Sequence, residues 1–120
     1  MRTPLPSEHH RTEQALRAYA LRLHDTAAWG KRFVRVRGKI FVSLEVTADT
    51  LTVAVKLPVS SEMALTLPFA SPSDRVLGAA GWVTARFRKG DHPPLELLKE
   101  WIAQSYRAVA PTKPERSRTA

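Results

Sequence analysis

Apolar residues first recur along this chain at helical intervals. From Glu8 to Ala28, Leu16, Tyr19, Ala20, Leu23 and Ala27 form one stripe, and Arg11, Arg17 and Arg22 stand opposite. Ser7 is placed to cap this helix, and Trp29-Gly30 to end it. The rhythm then changes to strict alternation. In Arg32–Arg37, Val34 and Val36 share one face, while Phe33, Arg35 and Arg37 share the other. Gly38-Lys39 reads as a tight turn. In Ile40–Val46, Ile40, Val42, Leu44 and Val46 line one face and Phe41, Ser43 and Glu45 the other. After a turn at Asp49-Thr50, Leu51, Val53, Val55 and Leu57 alternate with Thr52, Ala54 and Lys56. Period-two alternation is the signature of an antiparallel sheet with one buried face.

Ser60 or Ser61 then opens a short helix over Glu62–Leu67, ended by Pro68. Phe69–Gly81 reads as loop, with Pro72, Gly78 and Gly81. Trp82–Arg88 is a fourth strand: Val83, Ala85 and Phe87 turn inward; Trp82, Thr84, Arg86 and Arg88 turn outward. Asp91–Pro94 leads into the last helix, whose stripe is Leu95, Leu98, Ile102, Tyr106 and Val109, flanked by Trp101. The predicted order is α-β-β-β-α-β-α. This is an α+β fold, an antiparallel sheet of four or more strands with helices packed on one face. Its core should join Val42, Val53, Val55 and Phe87 to Leu16, Leu23, Leu98 and Ile102. Residues 1–10 and the basic tail 111–120 read as flexible ends around a single domain, 11–110.

Composition narrows the function classes. The 120 residues are 43% hydrophobic, which suits one packed core. No apolar run reaches the ~20 residues of a membrane span, and residues 1–10 have no apolar leader segment, so the expected address is the cytoplasm. The absence of Cys excludes disulfides, thiolate metal sites and a Cys nucleophile. Nineteen Lys and Arg against eleven Asp and Glu give a net charge of +8. The densest patch is Lys31, Arg32, Arg35, Arg37 and Lys39; a second is Arg86, Arg88 and Lys89. Such an excess bears on partners rather than on fold.

Trp29-Gly30, the run Val34-Arg35-Val36-Arg37-Gly38-Lys39-Ile40-Phe41, Leu77-Gly78, Gly81-Trp82-Val83 and the closing Ser105-Tyr106 resemble the MmcQ/YjbR family. The likeness runs from about Arg11 to Ala110. It implies a CyaY-like fold and a double-wing, candidate DNA-binding role. The turn at Gly38-Lys39 would be one wing and the loop at Ala79-Ala80 the other. Many relatives carry a basic pair where this chain has Ala79 and Ala80, so the resemblance implies a poorer phosphate contact there. The CyaY likeness also raises iron. Iron-binding members of that fold use an acidic first helix, whereas here Glu8, Glu13 and Asp25 are mixed with Arg11, Arg17 and Arg22.

Other chemistry is sparse. His9, His10, His24 and His92 form no ligand spacing and read as solvated, so no metal and no cofactor are expected. No Gly-x-Ser-x-Gly, His-Glu-x-x-His or phosphate-binding glycine loop occurs, and the expectation is a non-enzyme. The basic sheet is the remaining signal. Its outward face should present Arg35, Arg37, Lys56, Arg86 and Arg88, interleaved with Phe33, Phe41 and Trp82, and the candidate nucleic-acid contacts are these five cations and Trp82 together with Lys31, Arg32, Lys39 and Lys89. Cations there can neutralise phosphates, and rings can stack bases. The expected partner is DNA, bound weakly and with low specificity. Alternatives are a protein-interaction or small-ligand domain, with Trp29, Phe69 and Trp82 around a cleft, and a solvated basic surface without a ligand. Monomer and homodimer both stay open.

Overall fold

The computed structural model describes residues 7–73 and 80–110. Expectations resting on Leu77, Gly78, Ala79 and residues 111–120 lie outside the described residues. The elements are α1 (Glu8–Leu21), β1 (Thr26–Trp29), β2 (Phe33–Val36), β3 (Lys39–Thr47), β4 (Thr50–Lys56), α2 (Ser61–Ala64), β5 (Ala70–Pro72), β6 (Trp82–Phe87) and α3 (Leu95–Val109). The six strands form one antiparallel sheet in the order β1-β2-β3-β4-β6-β5. The fold is α+β, as the alternation predicts, and its six strands include two that the alternation does not locate.

The first extra strand corrects the length of the opening helix. α1 starts at the Ser7 cap, whose side chain accepts from the His10 amide, and stops at Leu21. Thr26 explains the stop. Its hydroxyl donates to the Ala20 and Leu23 carbonyls at 3.0 and 2.8 Å, satisfying groups that a continuing helix would have used. Asp25 takes a positive φ of 64°, and Thr26–Trp29 turns back to pair with β2. Ala27, placed on the helix stripe by periodicity, is therefore an exposed strand residue. The second extra strand, β5, lies in the segment read as loop. It is too short, and too interrupted by Pro72, to show an alternation.

Leu16, Ala20, Leu98, Trp101 and Ile102 pack against Val34, Val36, Val42, Leu44, Val53, Val55, Val83, Ala85 and Phe87. α1 and α3 thus cover one sheet face, and the predicted core is found there except for Leu23, which is half-buried at its margin. Each fully buried Leu, Ile or Val contributes about 1.5–3 kcal/mol. Arg17 belongs to this packing rather than to a solvated face. It is ion-paired with Glu13 and donates to the Lys31 carbonyl at 2.6 Å, tying α1 to the start of β2. His9 is likewise not solvated: it is 3% exposed, and its Nε2–H donates to the Arg88 carbonyl at 2.8 Å.

A bulge decides which side chains reach the other face. β2 and β3 pair Val34 with Val42 but Arg35 with Ile40, so Phe41 is the extra residue. Phe41 turns inward, fully buried, its ring edge-on to Tyr106 at 5.6 Å. Ile40 is displaced to the outer face. Both assignments reverse strict alternation. Beside the bulge, the Ser105 hydroxyl accepts from the Lys56 amide at 2.9 Å and donates to the Phe41 carbonyl. One side chain of α3 thereby satisfies two buried backbone groups next to the β3–β4 ladder.

Candidate nucleic-acid interface

Residues directly opposite each other in an antiparallel pair share a face, so the register fixes the outer surface. One row crosses all six strands: Trp29, Phe33, Ser43, Ala54, Thr84 and Ser71. A neighbouring row holds Ala27, Arg35 and Ile40, and Lys56 stands opposite Trp82. On the other side of the long row, Glu45, Thr52 and Arg86 face one another. No helix covers these residues among those described. Part of this face, with Phe33, Ile40, Ala54 and Trp82 on its floor and Arg32 and Arg86 at its rims, forms an open trough of about 680 Å³; Arg35 and Lys56 stand beside it on the same face.

Rings and cations are interleaved at the β1–β2 edge. The Arg35 guanidinium lies 4.8 Å from the centroid of the Trp29 ring, and Arg32 lies 5.4 Å from that of Phe33. The two rings are tilted at 36° with centroids 5.6 Å apart. Arg32 also pairs with Glu45 at 3.4 Å. Among the described residues, Arg35, Lys56 and Arg86 have no carboxylate partner. The face therefore carries three uncompensated cations around an apolar floor.

The structure brings together Arg32, Arg35, Lys56, Trp82 and Arg86; of the other five predicted residues, Arg88 meets Arg86 only in a separate hollow, and Lys31, Arg37, Lys39 and Lys89 lie apart. Arg37 occupies the β2–β3 turn at φ 52° and pairs with Asp25 at 3.1 Å. Lys39 faces Val36, on the helix-covered side of the sheet. Lys31 borders a hollow with Glu13 and Arg17 on α1. Lys89 lies near the α1 start beside Ser7. Arg88 follows β6 and borders a second hollow of about 500 Å³ with Arg86, Asp91 and His92. The outer apolar set also changes: Phe41 leaves it, and Trp29 and Ile40 join it. Trp29 belongs to a strand that helical periodicity concealed, and Ile40 is displaced by a bulge that alternation does not record. Phe69 lies against Phe87 and Trp101 at 4.8 and 6.0 Å, so it forms no cleft with Trp29 and Trp82.

Among the described residues, no three His, Asp or Glu side chains converge as a metal site, and no helix is long and apolar enough to cross a membrane. Comparisons with protein-family models, curated proteins and solved structures return no match.

Proposed function

We propose that the protein is a non-enzymatic nucleic-acid-binding domain that engages phosphate through the open face of its sheet. The observation carrying this reading is the juxtaposition of Arg35, Lys56 and Arg86, without carboxylate partners among the described residues, with the half-buried rings of Phe33 and Trp82. Solubility alone would be served by paired or scattered charge. Among the described residues, the acid of the face, Glu45, is taken by Arg32. The CyaY-like fold and the MmcQ/YjbR assignment belong to this proposal, resting on Gly81-Trp82 and Ser105-Tyr106 in the sequence.

Phosphate contacts made without base-edge readout give weak, sequence-independent binding, in the range of about 10⁻⁴–10⁻⁶ M at physiological salt. The test is a titration of a labelled oligonucleotide across salt concentrations. Three contacting cations predict a slope of log K against log salt of about −2. A flat dependence, or no binding at low salt, removes the proposal. A small-ligand reading is favoured by one observation, the trough volume of about 680 Å³, which lies in the range of ligand cavities. A neutral ligand would bind with no salt slope, so the same titration separates the two.

A further inference from the structure

We infer that the open face selects single-stranded nucleic acid over duplex, with one base stacked on Phe33 and another on Trp82. The inference rests on the nucleic-acid reading above and specifies its substrate. Phe33 lies on β2 and Trp82 on β6, three strands apart in the sheet. At the usual strand spacing this separates the rings laterally by roughly 14 Å. Between them the floor is made of small side chains, Ser43 and Ala54. Two half-buried rings on the trough floor, separated by small side chains, offer separate platforms for splayed bases.

Each platform has its own cation. Arg35 follows Phe33 by two residues on the same strand face, and Lys56 stands directly opposite Trp82. A ring and a neighbouring cation match one nucleotide: a base to stack and a phosphate to neutralise. Duplex cannot use this arrangement. Its base faces are already stacked inside the helix, and its convex backbone cannot bring bases to rings on the floor of a trough. Arg86 borders both the trough and the hollow containing Arg88 and His92, so a strand leaving Trp82 has a continuing phosphate track. Asp91, the acid bordering that hollow among the described residues, is partly occupied in accepting the Arg88 amide at 2.7 Å.

The experiment compares a fluorescent oligothymidylate of about ten nucleotides, within the usual site size, with a duplex of equal length at low salt. The single strand is expected to bind at least about tenfold tighter. Trp82→Leu and Phe33→Leu, which keep apolar cover on the sheet, should each weaken single-strand binding by about tenfold and leave duplex binding unchanged. Trp82→Phe should restore most of the loss. Thermal melts of each variant check the fold, and tryptophan quenching of the wild type by the oligothymidylate gives a second readout. Equal affinity for both substrates, with the leucine variants silent, overturns this inference and leaves phosphate binding standing. Failure of both substrates to bind overturns the inference and the nucleic-acid reading together.

Discussion

The Arg35 guanidinium sits 4.8 Å above the Trp29 ring, and this contact links the edge strand to the candidate binding face. Trp29 is 47% exposed, so the contact is wet and contributes about 0.5–1 kcal/mol. Its larger effect is to hold a long cationic side chain against the sheet. Trp29→Leu should therefore lower oligonucleotide affinity by about two- to fivefold, on the scale of an exposed cation–π contact, and leave the salt slope unchanged. The cation is still present, only less ordered. A changed slope would show that Trp29 is not acting through Arg35.

Removing cations should change the slope itself. Arg35→Ala combined with Arg86→Ala is expected to flatten it by about 1.4, roughly 0.7 for each lost contact with a single strand. Arg37→Ala is the internal control. Its side chain is engaged with Asp25 at the end of β1–β2, away from the trough, and its removal should leave the slope intact. Equal effects from Arg35 and Arg37 would contradict the separation seen in the structure. Slopes measured for the three proteins under one buffer series decide it.

Residue pattern alone reveals the buried half of the sheet well and the outer half poorly. Val34, Val36, Val53, Val55, Val83 and Phe87 obey period two because each must meet α1 or α3 across a continuous core. Three features escape that logic. Thr26 ends α1 by a side-chain hydrogen bond that competes with an unbroken apolar stripe. β5 is held by pairing with β6, a contact remote in sequence. The bulge at Phe41 is paid for by Ser105, 64 residues away. The four cations that do converge, Arg32, Arg35, Lys56 and Arg86, could be named from charge, but not separated from the five that do not, because Arg37 and Lys39 sit at a turn where facing no longer follows parity.

Ser105→Ala tests the device that supports the bulge. The change removes one hydroxyl and leaves the Lys56 amide and the Phe41 carbonyl without that partner in a buried setting. The expected destabilisation is about 1–3 kcal/mol. Faster exchange of the Lys56 amide, measured by hydrogen–deuterium exchange, should accompany it. An unchanged melting temperature would show that the ladder closes without Ser105.

Gly81 carries a second structural demand. Its φ is 93°, its carbonyl accepts from the Leu57 amide at 2.7 Å, and a Cβ built there would come within 2.8 Å of the Pro58 Cα. The neighbour is backbone and cannot swing aside. Gly81→Ala should cost at least the ~1–3 kcal/mol of a strained backbone conformation, and it should disturb the entry of Trp82 into β6. A melt within a degree of wild type would mean that the β4–α2 connection yields freely.

The sharpest test of the bulge compares two adjacent side chains. Strict alternation puts Ile40 in the core and Phe41 outside; the observed register puts Phe41 inside, fully buried, and Ile40 on the trough floor. Phe41→Ala removes a ring packed edge-on against Tyr106 and should cost about 3–5 kcal/mol. Ile40→Ala removes a half-buried side chain from an open surface. Its cost should stay near 1 kcal/mol, the ordinary scale of a point substitution outside the core. Phe41→Leu provides a folded variant if the alanine form is too unstable to purify, with an intermediate loss. Chemical denaturation of the three variants gives the ranking directly. If Ile40→Ala proved the more damaging change, β3 would run without a bulge, Phe41 would return to the outer face, and the floor of the proposed binding trough would have to be redrawn around it.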